Sequence, residues 1–336
     1  MSELINENAA AHEWVTNAIR RHSDGVFGKI VSGVIWTNAC GPDGNHIVPT
    51  DPQELVFKIN NHPHILLHEH DPGRPKGKVI ESAYFETEDG HQFVAAVLGL
   101  YAGGDVLSFA DIGFDASTTV PLPRELPELF ENLVIEFAID PRELDEAWVD
   151  AVTNDAPVPI QRTELSHNAE SSALELIRVA LPFVALVFVP YVTAIATEAG
   201  KATYAGINGW VRQLLAHFDD RRNPVLDLHS FQNGCQVSFL FRGTDKGKHS
   251  AAMDALPNAA TQAAQLVERL RAQGTPSRQL IYEFDKEMLR WAPSFAVLDD
   301  DRMITDDLAL ITIEQLPNGL SLGLTRKNSL PRDPVT

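Results

Sequence analysis

The chain has 336 residues, 44% hydrophobic and 22% charged, with no low-complexity tract; this excludes a disordered chain and is length enough for two domains. Lys and Arg number 27 against 46 Asp and Glu, and the net charge of -19 repels phosphate backbones, so nucleic acid is excluded as a partner. The two cysteines, Cys40 and Cys235, lie far apart with no CxxC spacing, which argues against a disulfide framework or a thiolate metal site and for a reducing, cytoplasmic setting.

Residues 1–25 carry acidic side chains and no apolar h-region, so they read as a helical or flexible segment and not as a secretory signal. Residues 26–155 read as a β-rich domain. Short apolar runs, among them GKIVSGVIWT, HILLHEH, KVIESAYFET, QFVAAVLGLY and NLVIEFAID, are separated there by Gly, Pro and Asp clusters, and a short helix starting at Pro141 closes the region. A polar connector, APVPIQRTELSHNAESS, spans 156–172.

Residues 173–222 form a hydrophobic helical segment in which the 19 residues from Val179 to Thr197 carry no charge. That run just reaches the membrane-spanning length of about 20 residues, while Pro182 and Pro190 would kink it. Two readings stay open: membrane contact through 179–197, or a buried or oligomer-forming helix that makes the chain a homo-oligomer. Residues 223–326 read as a small α+β domain. It comprises a hairpin in VLDLHSFQNGCQVSFLFRG turning at Asn233-Gly234, a helix from Leu256 to Ala272, and strands around RQLIYEF, SFAVL, ALITIEQ and LSLGLTR. Residues 327–336 read as a disordered tail.

Four of the twelve histidines fall within the nine residues from His62 to His70. Strand alternation would place His64, His68 and His70 on one face, yet His64 and His68 would then stand roughly 13 Å apart, too far to share one ion. A metal-binding module on this cluster is one reading, and a strand end with packing roles only is another. Elsewhere, Gly103-Gly104 lacks the helix and lysine of a phosphate loop, and DDDRMITDD lacks the spacing of a calcium loop. Tyr282, Phe284, Trp291 and Phe295 read as core, and Asp227, His229 and Cys235 do not make a persuasive catalytic set. No cofactor is implied.

The order of short motifs in residues 25–140 resembles the phage prohead (capsid maturation) protease family, related in fold to herpesvirus assemblins. The resemblance rests on Asp43-Gly44 with Ile47 to Pro49, His70-Asp71-Pro72, Pro75 to Val79, and Asp89-Gly90. It implies a serine endopeptidase acting on a protein, with His70 as general base and a third group orienting the imidazole. In the stretch LSFADIGFDAS, Asp111 stands where the family has its serine, and Ser108 lies three residues earlier, with Ser117 a weaker choice. Glu136 in VIEFAID takes the place of the orienting acid. An Asp111–His70 pair would instead hold an imidazolium, which suits a noncatalytic domain.

The fold class expected is therefore α+β: a prohead-protease-like β-rich domain, the hydrophobic helical segment and the small C-terminal domain. The function expected is binding of a protein partner by a noncatalytic protease-like domain coupled to the hydrophobic segment. Active proteolysis through His70, Ser108 and Glu136 is the alternative, and the histidine-cluster metal module the other.

Overall fold

The computed structural model describes residues 2–23, 25–41, 44, 46, 48, 50–62, 64–115, 133–166, 174–187, 198–311 and 324–326. Two helices open the chain: α1 (Ser2–Glu7) and α2 (Ala9–Arg21). The Asn8 side chain caps α2 by accepting the Ala11 amide, and Ala11, Val15 and Ala18 form its buried stripe at helical spacing. Next come β1 (Lys29–Thr37), α3 (Pro52–Asn61), β2 (His64–Leu67), β3 (Pro75–Glu86) and β4 (Gln92–Leu100). Asp51 caps α3 through the amides of Gln53 and Glu54, with Pro52 in the first turn.

These four strands make an antiparallel sheet in the order β1-β4-β3-β2. Central β4 is buried on both faces, as its nearly unbroken apolar run requires. Val94, Ala96 and Leu98 pack with Leu55 and Ile59 of α3, while Phe93 and Ala95 meet Ala11 and Val15 of α2. A β-carbon on Gly99 would collide with the Phe27 ring, which lies flat on that strand.

The larger sheet has ten strands in the order β14-β7-β6-β8-β9-β10-β11-β12-β13-β5. In chain order they are β5 (Val106–Leu107), β6 (Ile135–Ile139), β7 (Ile160–Ser166), β8 (Glu175–Ala180), β9 (Pro224–Gln232), β10 (Cys235–Arg242), β11 (Ser277–Asp285), β12 (Arg290–Leu298), β13 (Met303–Ile304) and β14 (Leu324–Arg326). Four pairs are parallel. Three are crossed over by helix: β6–β7 by α4 (Glu146–Thr153), β8–β9 by α5 (Phe183–Val187) with α6 (Glu198–Ala216), and β10–β11 by α7 (Lys246–Ala272); the fourth, β5–β13, joins strands far apart in sequence. All four helices share one apolar core with the strand residues that face them. The indoles of Trp210 and Trp291 are satisfied within it by the carbonyls of Val152 and Ala252. The other face, at Leu240, Ile281, Phe295, Val297 and Met303, is covered by Ile80 of β3 and by Phe27 and Tyr101, which flank β1 and β4.

The α+β class holds, but the pairing cuts the chain differently from the expected boundaries. The small sheet ends at Leu100, and β5, β6 and α4, expected within 26–155, belong to the large sheet. The region 173–222 is no separate helical unit. Its first part is β8, a strand lying between β6 and β9, followed by α5 with Val184 to Val187 buried. Of the charge-free run, Val179 and Ala180 end β8, Pro182 follows that strand and Phe183–Val187 form α5, so residues 179–187 are strand end and short helix and not part of one long helix. Among the described residues no helix is long and apolar enough to cross a membrane. Residues 188–197, Ser117, Asp43, Ile47, Pro49 and the tail at 327–336 lie outside the described residues.

Candidate functional site

The histidine stretch leaves the strand conformation earlier than expected. β2 ends at Leu67, and His68–His70 form a 3-10 turn with Glu69 and His70 in the left-handed region, at φ 51° and 60°. The alternation that would align three imidazoles therefore stops. Among the described residues no three His, Cys, Asp or Glu side chains are placed to share a metal ion.

After the 3-10 turn, Asp71 folds the chain back, its carboxylate accepting the Gly73 amide at 2.8 Å and its carbonyl accepting the Arg74 amide at 3.0 Å. That carboxylate is buried and faces Arg242 at the end of β10 in a two-pronged pair, Nη2 to Oδ1 at 2.7 Å and Nη1 to Oδ2 at 3.0 Å. Arg242 also reaches Glu283 on β11 through Nη2 at 2.8 Å and Nε at 3.1 Å. Burial works against the guanidinium charge, but the hydrogen bonds it donates to Asp71 and Glu283 outweigh that and raise the Arg242 pKa. A second ionic link joins the sheets where Lys78 of β3 donates to both oxygens of Asp301 at 2.7 Å, and Arg278 reaches the same carboxylate at 2.9 Å. Burial lowers the Lys78 pKa, and the bonds to Asp301 oppose that.

Beside Arg242 the sheets leave a cleft of about 550 Å³. One wall is the turn at Gly73 and Arg74, the floor is β12 at Ala292 to Ser294, and the far wall is Asp306, Asp307 and Leu310. The floor is open because β13 pairs only with Ala296 and Val297 of β12. Four carboxylates line the cleft, from Glu283, Asp285, Asp306 and Asp307, against the guanidiniums of Arg74 and Arg242.

The residues expected to form a triad are dispersed. Ser108 and Asp111 come together, in a turn and with each other: the Ser108 amide donates to Asp111 Oδ2 and the Asp111 amide to Ser108 Oγ, both at 3.0 Å. These bonds hold the exposed Asp111 carboxyl below its ordinary pKa, the Ser108 amide first. The turn sits beyond β5 at the edge of the sheet, four strand positions from β10, to which the Asp71 turn is anchored. Glu136 is exposed on β6, seven positions from β5, roughly 30 Å away at strand spacing. It cannot orient an imidazole near Ser108.

Two clusters in the structure were not anticipated. One is the Asp71–Arg242–Glu283 fork. The other lies on the helix-free face of β8 and β9, where Asp227 binds Arg178 Nε at 2.9 Å and its Oδ1 stands 3.8 Å from His229 Nδ1. Their common signal is a charged residue inside an apolar strand run, as in VLDLHSF, LIRVA and FLFRG, because a charge in such a position needs a buried partner. No family model, no curated protein and no solved structure matches the chain.

Proposed function

We propose that the chain is a noncatalytic protein-binding module whose binding site is the cleft between the Asp71 turn and β12, and that it takes a basic segment of a partner protein. The observation that carries this reading is the charge of the cleft. Arg242 is already shared by Asp71 and Glu283, which leaves Asp285, Asp306 and Asp307 facing the single exposed cation Arg74. The excess agrees in sign with the net charge of -19, so a basic segment would be steered to it. The volume falls within the range of about 300–1,000 Å³ that ligand clefts occupy. Ser108 has a turn-forming role in this reading, since its hydroxyl accepts the Asp111 amide.

The test is fluorescence polarisation with labelled peptides of matched length and hydropathy that are basic, neutral or acidic. Only the basic set binds, with affinity falling as salt rises, and Asp306→Asn with Asp307→Asn weakens it about tenfold, near 1.4 kcal/mol. Asparagine keeps the oxygens that accept the Phe109 and Ala309 amides, so the turn geometry is retained. Equal binding of the acidic set would overturn the reading. A serine-directed fluorophosphonate leaves Ser108 unlabelled; an adduct there would restore the endopeptidase alternative.

A further inference from the structure

The turn between β9 and β10 carries chemistry that a turn role leaves unused. An asparagine carboxamide is open to attack by the backbone nitrogen that follows it, most of all where that nitrogen belongs to glycine, which has no β-carbon to shield it. The sequence places Asn before Gly three times: Asn208-Gly209, Asn233-Gly234 and Asn318-Gly319, the last outside the described residues. The structure separates the other two.

Asn208 and Gly209 lie inside α6, where helical φ and ψ are fixed and the Gly209 amide donates to the carbonyl four residues earlier. The Asn208 carboxamide is also engaged, its Oδ1 accepting Arg212 Nε at 3.0 Å. Asn233 and Gly234 are instead both exposed, at the tip of a two-residue hairpin closed by the Gln232–Cys235 pair. No atom lies within 4 Å of where a Gly234 β-carbon would stand, and the Gly234 nitrogen makes no backbone hydrogen bond among the described residues. The nucleophile is therefore free and the space around it open.

We propose that Asn233 is a site of self-modification, converting to aspartate and isoaspartate with loosening of the β9–β10 hairpin. The Gly234 nitrogen attacks Asn233 Cγ; the new C–N bond forms as the Cγ–Nδ2 bond breaks, and Nδ2 leaves as ammonia with the proton that the Gly234 nitrogen gives up. Water then opens the cyclic imide. Addition at Cγ gives aspartate, and addition at the main-chain carbonyl gives isoaspartate. Aspartate tolerates the left-handed φ of 49°, but it sets a second carboxylate against Glu268, whose Oε1 accepts Asn233 Nδ2 in the unmodified chain. Isoaspartate adds a methylene to the backbone of the turn and displaces the Gln232–Cys235 pair, which opens the start of β10 at the buried Cys235.

The experiment incubates the full chain at pH 8.5, folded and in urea, and follows each Asn-Gly peptide by mass spectrometry. Isoaspartate is read by methyl transfer from S-adenosylmethionine with an isoaspartate-directed methyltransferase. In the folded chain Asn233 exchanges its amide for a carboxylate about tenfold faster than Asn208, a difference of about 1.4 kcal/mol in barrier, while in urea the two react alike. Converted chains release the Cys235 thiol to an aromatic disulfide faster than fresh ones, and Asn233→Gln, whose longer side chain closes the ring poorly, shows neither change. An Asn233 that persists in the folded chain while it converts in urea, equal folded rates at Asn208 and Asn233, or a Cys235 equally protected after conversion would overturn the proposal. The comparison of the two asparagines within one chain needs no variant, so it decides the matter even if Asn233→Gln folds poorly.

Discussion

Arg242 Nη2 lies 2.7 Å from Asp71 Oδ1, a contact between residues 171 positions apart that ties the turn after the histidine stretch to the large sheet. Removing the guanidinium leaves Asp71, 5% exposed, as a buried carboxylate beside Glu283, with only the solvent-exposed Arg74, at 3.5 Å, still paired to it. Arg242→Met is therefore expected to destabilise the protein by about 3 kcal/mol, the low end for breaking a buried pair because a quarter of the guanidinium side chain is exposed. Neutralising all three groups, as Arg242→Met with Asp71→Asn and Glu283→Gln, recovers most of the loss, since the cost lies in the unpaired charge. Urea denaturation of the single and triple variants checks this, and a triple variant no more stable than the single one would contradict it.

Gly73 is the second element of the same contact. A β-carbon there would collide with Arg242 Nη2 and Glu283 Oε1, and would also crowd a methyl of Leu240. The two polar atoms could swing away, but only by giving up the fork that holds them. Gly73→Ala is expected to cost about 1–3 kcal/mol, as overpacking does, and to lose that penalty in the Arg242→Met background. A double-mutant cycle measures the coupling; additivity of the two changes would show that the glycine serves only the backbone.

Much of the local structure was legible because local chemistry decides it. Asn233-Gly234 turns the β9–β10 hairpin with φ 49° and 86°, the left-handed pair that this dipeptide adopts readily. Strands β3, β4, β11 and β12 fall on the apolar runs. Helix α7 begins ten residues before the expected Leu256, at an Asp245 cap, since Pro257 is accommodated inside it rather than bounding it. Helix α3 was missed although Asp51-Pro52 is a cap signal, because it lies amid strands. What local chemistry does not specify is which sheet a strand joins. β5 lies within the first region in sequence yet pairs with β13 near the other end of the sheet's sequence, and β6 pairs with β7 and β8 beyond the expected boundary, and no periodicity records that. The same limit separated the site residues. Asp71 was visible only as a neighbour of His70, and Arg242 and Glu283 become meaningful once β10 and β11 are brought beneath the turn.

The pair Asp227–His229 sets an acid limit on stability. Burial pushes His229 down to about 4 from its ordinary 6.5, against the opposing pull of Asp227. A histidine lowered in the folded state binds fewer protons than in the unfolded chain, so its contribution is complete above pH 6.5 and is lost as pH falls from 6.5 to 4. The loss amounts to about 3 kcal/mol. His249, lowered by burial, acts in the same direction. Asp227 continues the decline at lower pH: burial opposes its ionisation, but Arg178 and His229 prevail and lower its pKa, so its contribution disappears as it is protonated. Urea midpoints between pH 7 and pH 4.5 should fall steadily in the unaltered protein and less steeply in His229→Gln. An unchanged slope would assign the acid sensitivity elsewhere.

The two thiols should differ in reactivity for reasons visible in their surroundings. Cys40 is exposed, with His46 Nδ1 3.9 Å from its sulfur. Cys235 is fully buried at the start of β10, where burial pushes its pKa up to about 12 despite the hydrogen bond donated by Ser277 Oγ at 3.3 Å. The attacking species in thiol exchange is the thiolate, so at pH 8 Cys235 is both shielded and protonated. Titration with an aromatic disulfide reagent should release one equivalent per native chain, abolished by Cys40→Ser, and a second only after unfolding in urea. Because the Cys235 reaction requires opening of β10 against β9 and β11, its rate in low urea should follow the opening of the large sheet. It should therefore rise in Arg242→Met, where the end of that strand has lost its link to Asp71. Rapid labelling of both thiols in the native protein would show that β10 is accessible without unfolding.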